Sequence, residues 1–204
     1  MEEKSILPLD GDKLSLILEA AQKRFGHYGV EKTTMSEIAA DIGTSKASLY
    51  YYYPDKEHLF LAVINKEMEE FVKAIKKLIE EDESASKKLR RYNSIRLDFF
   101  QRLVSLAKLS DSTMTSLKTS LHEFKDTFLA KEKELVQAIL NQGIREREFD
   151  GISAKAHADL FVTTMWGMRM LLHRKEIKTE EDYLKVEHYQ KQFTALFLKA
   201  ITKS

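Results

Sequence analysis

The amino-acid sequence predicts an all-α protein, with a small three-helix unit at the N-terminus followed by a larger helical bundle. Its 204 residues include only 7 glycines and 2 prolines, the residue types that most disfavour helix interiors. Leu, Lys, Glu and Ala recur throughout, a composition typical of long helices. Apolar residues recur at steps of three and four, which indicates stripes on helices rather than alternating strand faces. Because 43% of the residues are hydrophobic, the chain can bury a core.

The first helix is predicted from about Lys13 to Tyr28. Asp12 has a side chain suited to an N-cap, and Gly29 is suited to a left-handed stop. The apolar stripe that this helix would bury consists of Leu14, Ile17, Leu18, Ala21 and Phe25.

A second helix is predicted to begin at Thr34. Thr34 and Glu37 have the spacing of a capping box, in which the threonine oxygen accepts from a backbone N–H and the glutamate reaches back. Gly43 ends this helix because the chain must turn sharply there and glycine tolerates positive φ.

A third helix is predicted from Lys46 to about Tyr52, with Ser45 as its N-cap. Helical spacing directs Leu49 inward, whereas Lys46 and Tyr50 share a face that points outward. Two short helices joined at Gly43 have the layout of a helix-turn-helix, whose second helix fits the major groove of DNA.

The rest of the chain is predicted to be a helical bundle without strands. EEDESAS (80–86) and LSDSTMTS (109–116) interrupt the helical pattern, the second followed by a short helix. The long helices are predicted over about Lys56–Glu81, Lys87–Leu109, His122–Arg147, Ala154–Lys175 and Glu180–Ile201.

Composition excludes several kinds of site. The chain has no cysteine, so disulfides, thiolate metal sites and cysteine nucleophiles are excluded. The motifs HExxH, GxSxG, GxxxxGK[ST] and GxGxxG do not occur, nor does a Glu-x-x-His pair. We therefore predict no catalytic residue, no metal and no cofactor, and a protein that is not an enzyme. No apolar run is long enough for a membrane span or a secretory signal, so a cytoplasmic location without a membrane partner is predicted.

Net charge gives no support to nucleic-acid binding. The formal net charge is +1, and the region from residue 14 to residue 56 carries as many acidic as basic residues. DNA-binding domains are usually basic. Any DNA contact therefore has to depend on where individual charges and helix ends lie. The third helix carries no acidic residue, and its first turn offers hydroxyl and ammonium donors from Thr44, Ser45 and Lys46.

Residues 14–64 resemble the N-terminal domain of TetR-family (tetracycline-repressor-like) transcriptional regulators. The matching positions are Thr33-Thr34, Ile38-Ala39, Gly43, Ser45, Ala47, Leu49-Tyr50, Tyr51 to Tyr53, Lys56-Glu57 and Leu59, with Phe25 and Gly29 upstream. Three positions depart from the family pattern: Thr44 stands where an aliphatic residue is usual, Ala47 where glycine is common, and Tyr53 where phenylalanine is typical.

The resemblance implies a DNA-binding domain over residues 1–56 and a helical effector-binding and dimerisation domain over residues 57–204. It implies a dimeric regulator, taken here as a repressor, that a small apolar effector releases from a palindromic double-stranded DNA operator. The positions that it assigns to DNA are Thr44, Ser45, Lys46, Ala47, Tyr50, Tyr51 and Lys56, with Thr34 and Tyr52 as further phosphate contacts. The alternative is a helical module that binds small molecules or proteins without binding DNA.

Two further residue sets are predicted in the larger domain. The apolar helix of residues 159–172 and the last helix are expected to form a four-helix interface between two copies, mainly because of the resemblance. The interface set is Leu160, Thr164, Gly167, Leu171, Tyr189, Phe193, Leu196, Phe197 and Ala200. The set expected to line an effector pocket, of which each member also suits a plain core, is Phe99, Phe100, Leu103, Phe124, Phe128, Met165, Trp166, Arg169 and Met170.

A basic stretch lies on the fifth helix and is expected to be a solvated face. It consists of Lys87, Lys88, Arg90, Arg91, Arg96 and Arg102.

Overall fold

The computed structural model describes residues 10–106, 111–173 and 180–203, and in those ranges the fold is all-α. The strand-like element found there is an isolated antiparallel bridge between Phe149 and Thr202. The helices are α1 (Asp10–Tyr28), α2 (Met35–Asp41), α3 (Lys46–Tyr52), α4 (Lys56–Glu80), α5 (Ala85–Leu106), α6 (Asp111–Ser116), α7 (Lys118–Arg145), α8 (Ala154–His173) and α9 (Glu180–Ile201).

The chain divides into two compact units. One unit consists of Met1–Met68 and Phe100–Phe124, and the other of Glu69–Phe99 and Lys125–Ser204. The start of α4 and the end of α5 belong to the unit that contains α1–α3. The boundary between residues 56 and 57 stays a prediction.

In the first unit, α1 packs against α2 and α2 against α3. Ile17 and Phe25 of α1, Ile38 of α2 and Leu49 of α3 are fully buried. The Phe25 ring meets Phe60 of α4 edge-on, with 5.9 Å between centroids. The period of apolar residues on α1 therefore correctly predicts that Ile17, Ala21 and Phe25 are buried, whereas Leu14 of the same predicted stripe is exposed and Leu18 is half-buried.

The predicted starts of α2 and α3 are confirmed. Thr34 and Glu37 form both bonds of the capping box, and the Ser45 side chain accepts from the N–H of Ser48. Gly43 has φ +64°, and a Cβ there would meet no atom within 4 Å. Backbone conformation, not crowding, therefore requires glycine at the turn.

Three helix starts differ from the prediction. α1 begins at Asp10, so Asp12 lies within the helix and is not its N-cap. α7 begins at Lys118 rather than near His122. α5 begins at Ala85 rather than Lys87. Ser84 caps it, its Oγ accepting from the Lys87 N–H at 3.3 Å, and the Glu148 carboxylate accepts from the N–H groups of Ala85 and Ser86, at 2.8 and 3.1 Å. The Ser84 cap is visible in the local sequence, whereas Glu148 is distant in sequence and no local pattern indicates its contact.

The second unit has an aromatic core. Phe99 and Phe128 are stacked at 4.8 Å between ring centroids, and Phe71 lies about equally close to both, at 5.0 and 5.1 Å. α8 packs against α9, and Phe161 of α8 contacts Phe197 of α9 at 4.8 Å between centroids.

Candidate nucleic-acid interface

α3 presents a polar and aromatic outer face over a single apolar anchor. Leu49 is fully buried, whereas Tyr50 and Tyr51 are 42% and 84% exposed. Lys46 and Ala47 are also exposed. Because Lys46 and Tyr50 stand one turn apart, the Lys46 ammonium lies over the Tyr50 ring, 5.6 Å from its centroid. The structure thus brings together a cation and two rings on one accessible side of the helix.

The head of α3 combines capping with accessibility. Ser45 is exposed, and its Oγ accepts from the Ser48 N–H at 3.1 Å. Thr44 is half-buried, and its N–H donates to the Ala39 carbonyl at 2.9 Å. The first turn of α3 has no acidic residue. No carboxylate of that turn therefore opposes an anion at this end of the helix.

The later tyrosines of the run face increasingly inward. Tyr52 is half-buried, and its ring meets Tyr51 edge-on at 5.3 Å with an interplanar angle of 88°. Tyr53 is also half-buried, and burial raises the pKa of its hydroxyl. These two rings support the helix, which leaves Tyr50 and Tyr51 as the rings available to a ligand.

Two predicted phosphate contacts already have partners in the chain. Thr34 is exposed, but its Oγ1 bonds the Glu37 carboxylate at 2.7 Å and so takes part in the helix cap. Lys56 is half-buried, and its Nζ donates to the Glu31 carbonyl at 3.3 Å. Both lie near helix starts, but the Thr34 hydroxyl is engaged in the cap and Lys56 is less exposed than Lys46.

Arg24 of α1 holds α2 through two carboxylates. It pairs with Asp41 at 2.5 Å and with Glu37 at 3.3 Å. Hydrogen bonding from Thr34 lowers the pKa of Glu37, and hydrogen bonding from Arg24 lowers the pKa of Asp41. These acidic charges are part of the neutral total for this region, and their pairing with Arg24 keeps them from acting as isolated negative charges.

Sequence reasoning missed Ser48 and Lys13. The Nζ of Lys13 on α1 donates to the Oγ of Ser48 on α3 at 2.9 Å and lies 5.6 Å from the centroid of the Tyr52 ring. Ser48 stands one turn before Tyr52, so its place on that side of α3 was readable from helical spacing. Lys13 is 35 residues away from Ser48 in sequence, and no local pattern indicates their contact.

Comparison with known proteins agrees with this geometry. The pattern for bacterial regulatory proteins of the tetR family matches residues 17–63, the segment that contains α2 and α3. The crystal structure of a transcriptional regulator from Cytophaga hutchinsonii is similar over 94% of this chain and 99% of that one, with 39% identity and a TM-score of 0.87. The chain belongs to the TetR family.

Two other proteins are similar to this chain, one in sequence and one in fold. The HTH-type transcriptional regulator YvaF of Bacillus subtilis (strain 168) is 30% identical over 63% of this chain and 65% of its own length. A TetR transcription regulator from Haloarcula marismortui shares the fold, with a TM-score of 0.70 over 95% of this chain and all of that one, at 22% identity. The TetR-family chain is thus a transcriptional regulator with a DNA-binding helix-turn-helix, and its family consists of regulators, not enzymes.

The residues predicted to line an effector pocket of this TetR-family regulator fall into three groups. In the second unit, Phe128 is stacked on Phe99 and lies 6.0 Å from Trp166 between ring centroids, with Met165 buried in the same unit. In the first unit, Phe100 and Leu103 are buried and Phe124 is half-buried. The side chains of Arg169 and Met170 lie outside the described residues. Membership of all nine in one pocket stays a prediction.

An open cleft of about 870 Å³ lies in the first unit, and none of those nine residues lines it. Its walls come from α1 and the end of α2, and they mix exposed apolar groups with charges. The residues around it are Leu16, Glu19, Ala20, Lys23, Arg24, Gly26, His27, Tyr28, Asp41 and Ile42.

The expectation of a solvated basic face on α5 is wrong for two of its residues. Lys88 and Arg96 are buried. Lys88 donates to Gln142 at 2.8 Å, and Arg102 pairs with the buried Glu67 at 2.8 Å. A run of cations in sequence gives no indication of the partners on other helices, and those partners decide whether a charge can be buried.

Glu132 of α7 is the acceptor at the centre of the second unit. It is fully buried and accepts from the Tyr92 hydroxyl at 2.5 Å, the Arg96 Nε at 2.5 Å and the Trp166 Nε1 at 2.6 Å. Burial, together with the Glu132 charge, raises the pKa of Tyr92 well above its usual value. Tyr92, Arg96, Glu132 and Trp166 form what we call the Glu132 cluster.

The predicted interface residues are mostly accessible in the single chain. Leu160, Tyr189 and Leu196 are 57%, 52% and 67% exposed. Gly167 and Ala200 are exposed too, and Thr164 and Phe193 are half-buried. Phe197 is buried within its own chain, so it has little surface left for a partner. The side chain of Leu171 lies outside the described residues.

Among the described residues, no helix has the length and apolar character to cross a membrane. That part of the chain also contains no cluster of three or more His, Asp or Glu residues placed to hold a metal ion.

Proposed function

We propose that this TetR-family chain is a homodimeric repressor that binds a palindromic DNA operator through α3 and is released by a small, largely apolar effector. The observation that carries the proposal is the exposure of Lys46, Tyr50 and Tyr51 on one side of α3 while Leu49 anchors the other. Ammonium and phenol groups donate to phosphates and base edges, and tyrosine rings contact sugars and thymine methyls.

The two copies of α3 are proposed to enter successive major grooves on one face of a duplex. Two-fold symmetry then requires half-sites related by inversion, separated by about one helical turn (~34 Å) or a multiple of it.

The double variant Lys46→Ala/Tyr50→Ala tests the reading surface. Each lost contact is worth about 1–3 kcal/mol, so affinity for the operator should fall at least about tenfold. The matched control is Lys23→Ala/Tyr28→Ala, which removes the same side-chain types from exposed positions on α1. The probe is the consensus duplex that the wild-type protein enriches from a randomised library, with binding measured by fluorescence anisotropy at fixed salt. Equal affinities for the two double variants would show that α3 does not read DNA through this face.

Dimerisation is proposed to use the exposed side of α8 and α9. Leu160 and Leu196 would lose their exposure in a four-helix interface with a second copy. A Cβ at Gly167 would meet no atom within 4 Å, so within the described chain this glycine leaves room for a helix to approach. Sedimentation equilibrium measures the dimer directly, and a monomer at micromolar concentration would refute this part of the proposal.

The effector is proposed to bind in the larger domain, against the rings of Phe99, Phe128 and Trp166. It must bind the DNA-free conformation more tightly than the DNA-bound one, since equal affinity shifts no equilibrium. Trp166 is the single tryptophan of the chain, so its emission reports on this region alone. An apolar compound that releases the operator should change that emission saturably, and release without any change would place the effector elsewhere.

A further inference from the structure

Lys13 of α1 connects to two successive turns of α3. Its Nζ donates to Ser48 Oγ at 2.9 Å, and the same ammonium lies 5.6 Å from the centroid of the Tyr52 ring. Ser48 and Tyr52 are four residues apart and therefore lie on the same side of the helix. One side chain thus contacts α3 near its middle and at its end.

Both partners of Lys13 contact residues of the proposed reading surface. The N–H of Ser48 donates to Ser45 Oγ at the head of α3. The Tyr52 ring meets Tyr51 edge-on at 5.3 Å, and Tyr51 is the most exposed of the large hydrophobic residues in the described chain. Lys13 is therefore linked to both ends of the reading surface, to Ser45 through Ser48 and to Tyr51 through Tyr52.

α3 is a short helix with one buried side chain. It has 7 residues, of which Leu49 alone is buried, and a helix this short has little stability of its own. Leu49 and the packing against α2 fix the distance of α3 from the core, whereas its rotation about the helix axis depends on the contacts of the side chains to either side of Leu49. A donor that contacts two residues to one side of Leu49 restrains that rotation.

We propose that Lys13 is a positioning residue for DNA recognition, setting the rotation of α3 so that Tyr51 and the head of the helix meet the groove together. This inference rests on the proposed function, because it concerns the accuracy with which α3 reads DNA. A wrong rotation of α3 about its axis weakens hydrogen bonds to specific bases, because these depend on direction. Non-specific electrostatic attraction to phosphates depends little on that rotation.

The variant Lys13→Met keeps the apolar stem and removes the donor and the charge. Lys23→Met is the matched control, because it removes the same charge from an exposed position of the same helix. The probes are the wild-type-enriched consensus duplex and a random-sequence duplex of equal length. We expect Lys13→Met to bind the consensus about tenfold more weakly than Lys23→Met, the loss expected if α3 without Lys13 holds the binding rotation for about a tenth of the time. The two variants should bind the random duplex equally, with equal salt slopes.

Ser48→Ala provides a second test that retains the Lys13 charge. If Lys13 acts through Ser48, the double variant Lys13→Met/Ser48→Ala should bind the consensus no more weakly than Lys13→Met alone, because both changes remove the same interaction. Additive losses would overturn the proposal. Far-UV circular dichroism of each variant confirms that the helices are retained.

Three other outcomes contradict the inference in different ways. Equal consensus affinities of Lys13→Met and Lys23→Met would show that Lys13 positions nothing. A salt slope lowered by about one for Lys13→Met relative to Lys23→Met would show direct phosphate contact instead. Failure of the wild-type protein to enrich any sequence would overturn the proposed function itself, and this inference with it.

Discussion

Replacing Glu132 with leucine should destabilise the second unit severely. The substitution removes the acceptor of three donors, of which Tyr92 and Arg96 are fully buried. Breaking a buried ion pair by removing one partner costs about 3–5 kcal/mol. The substitution also leaves the buried Tyr92 hydroxyl without its acceptor, which adds to this cost. Trp166 is half-buried, so the loss of its hydrogen bond adds less. We expect a loss of about 4 kcal/mol in the free energy of unfolding.

The control for this variant is Glu134→Leu, an exposed position on the same helix, which should change stability by no more than about 0.5 kcal/mol. The double variant Arg96→Met/Glu132→Leu removes both charges and should recover much of the loss, because apolar replacement of a buried pair is often neutral. Unfolding is followed by far-UV circular dichroism in urea at one fixed protein concentration, since dimerisation shifts apparent stability. Trp166 fluorescence is unsuitable because the substitution alters its surroundings.

Two results would refute this reasoning. If Glu132→Leu cost no more than Glu134→Leu, the cluster would not hold the core together. If the double variant were as unstable as the sum of Glu132→Leu and Arg96→Met, the two charges would not be energetically coupled.

Two further predictions concern the first unit and the dimer. Hydrogen bonding from Arg24 lowers the pKa of Asp41 below its usual 3.8, so the stabilising effect of this pair is present above that value and is lost as pH falls through the lower folded-state value. Acid titration of the helical signal should therefore show a loss at low pH that Arg24→Gln reduces, and an unchanged acid profile in that variant would exclude the Arg24 pairs as its cause. Leu196→Glu places a charge on the most exposed apolar side chain among the described residues of α9. The dimer dissociation constant should rise at least about tenfold, because a charge would be buried without a partner. Sedimentation compares this variant with Lys199→Glu on the same helix, and equal dissociation constants would show that this face is not the dimer interface.

Local sequence rules predicted most of the helices and the exposed face of α3. The capping box of Thr34 and Glu37, the N-cap at Ser45 and the glycine at residue 43 involve neighbours within a few positions, so their spacing is visible in the sequence. The inward direction of Leu49 and the outward direction of Lys46 and Tyr50 follow from helical periodicity alone.

Only the tertiary structure decided which charges are buried and which side chain of α1 contacts α3. Arg96 was expected in a solvated row, yet it pairs with Glu132, which is 36 residues later. Lys13 looked like an ordinary residue near a helix start, yet it contacts Ser48 across 35 residues. The sequence determined the local backbone and the sides of the helices, because hydrogen bonding and periodicity act over one or two turns. The pairing of side chains on different helices depends on how those helices pack, and that information is spread over the whole chain.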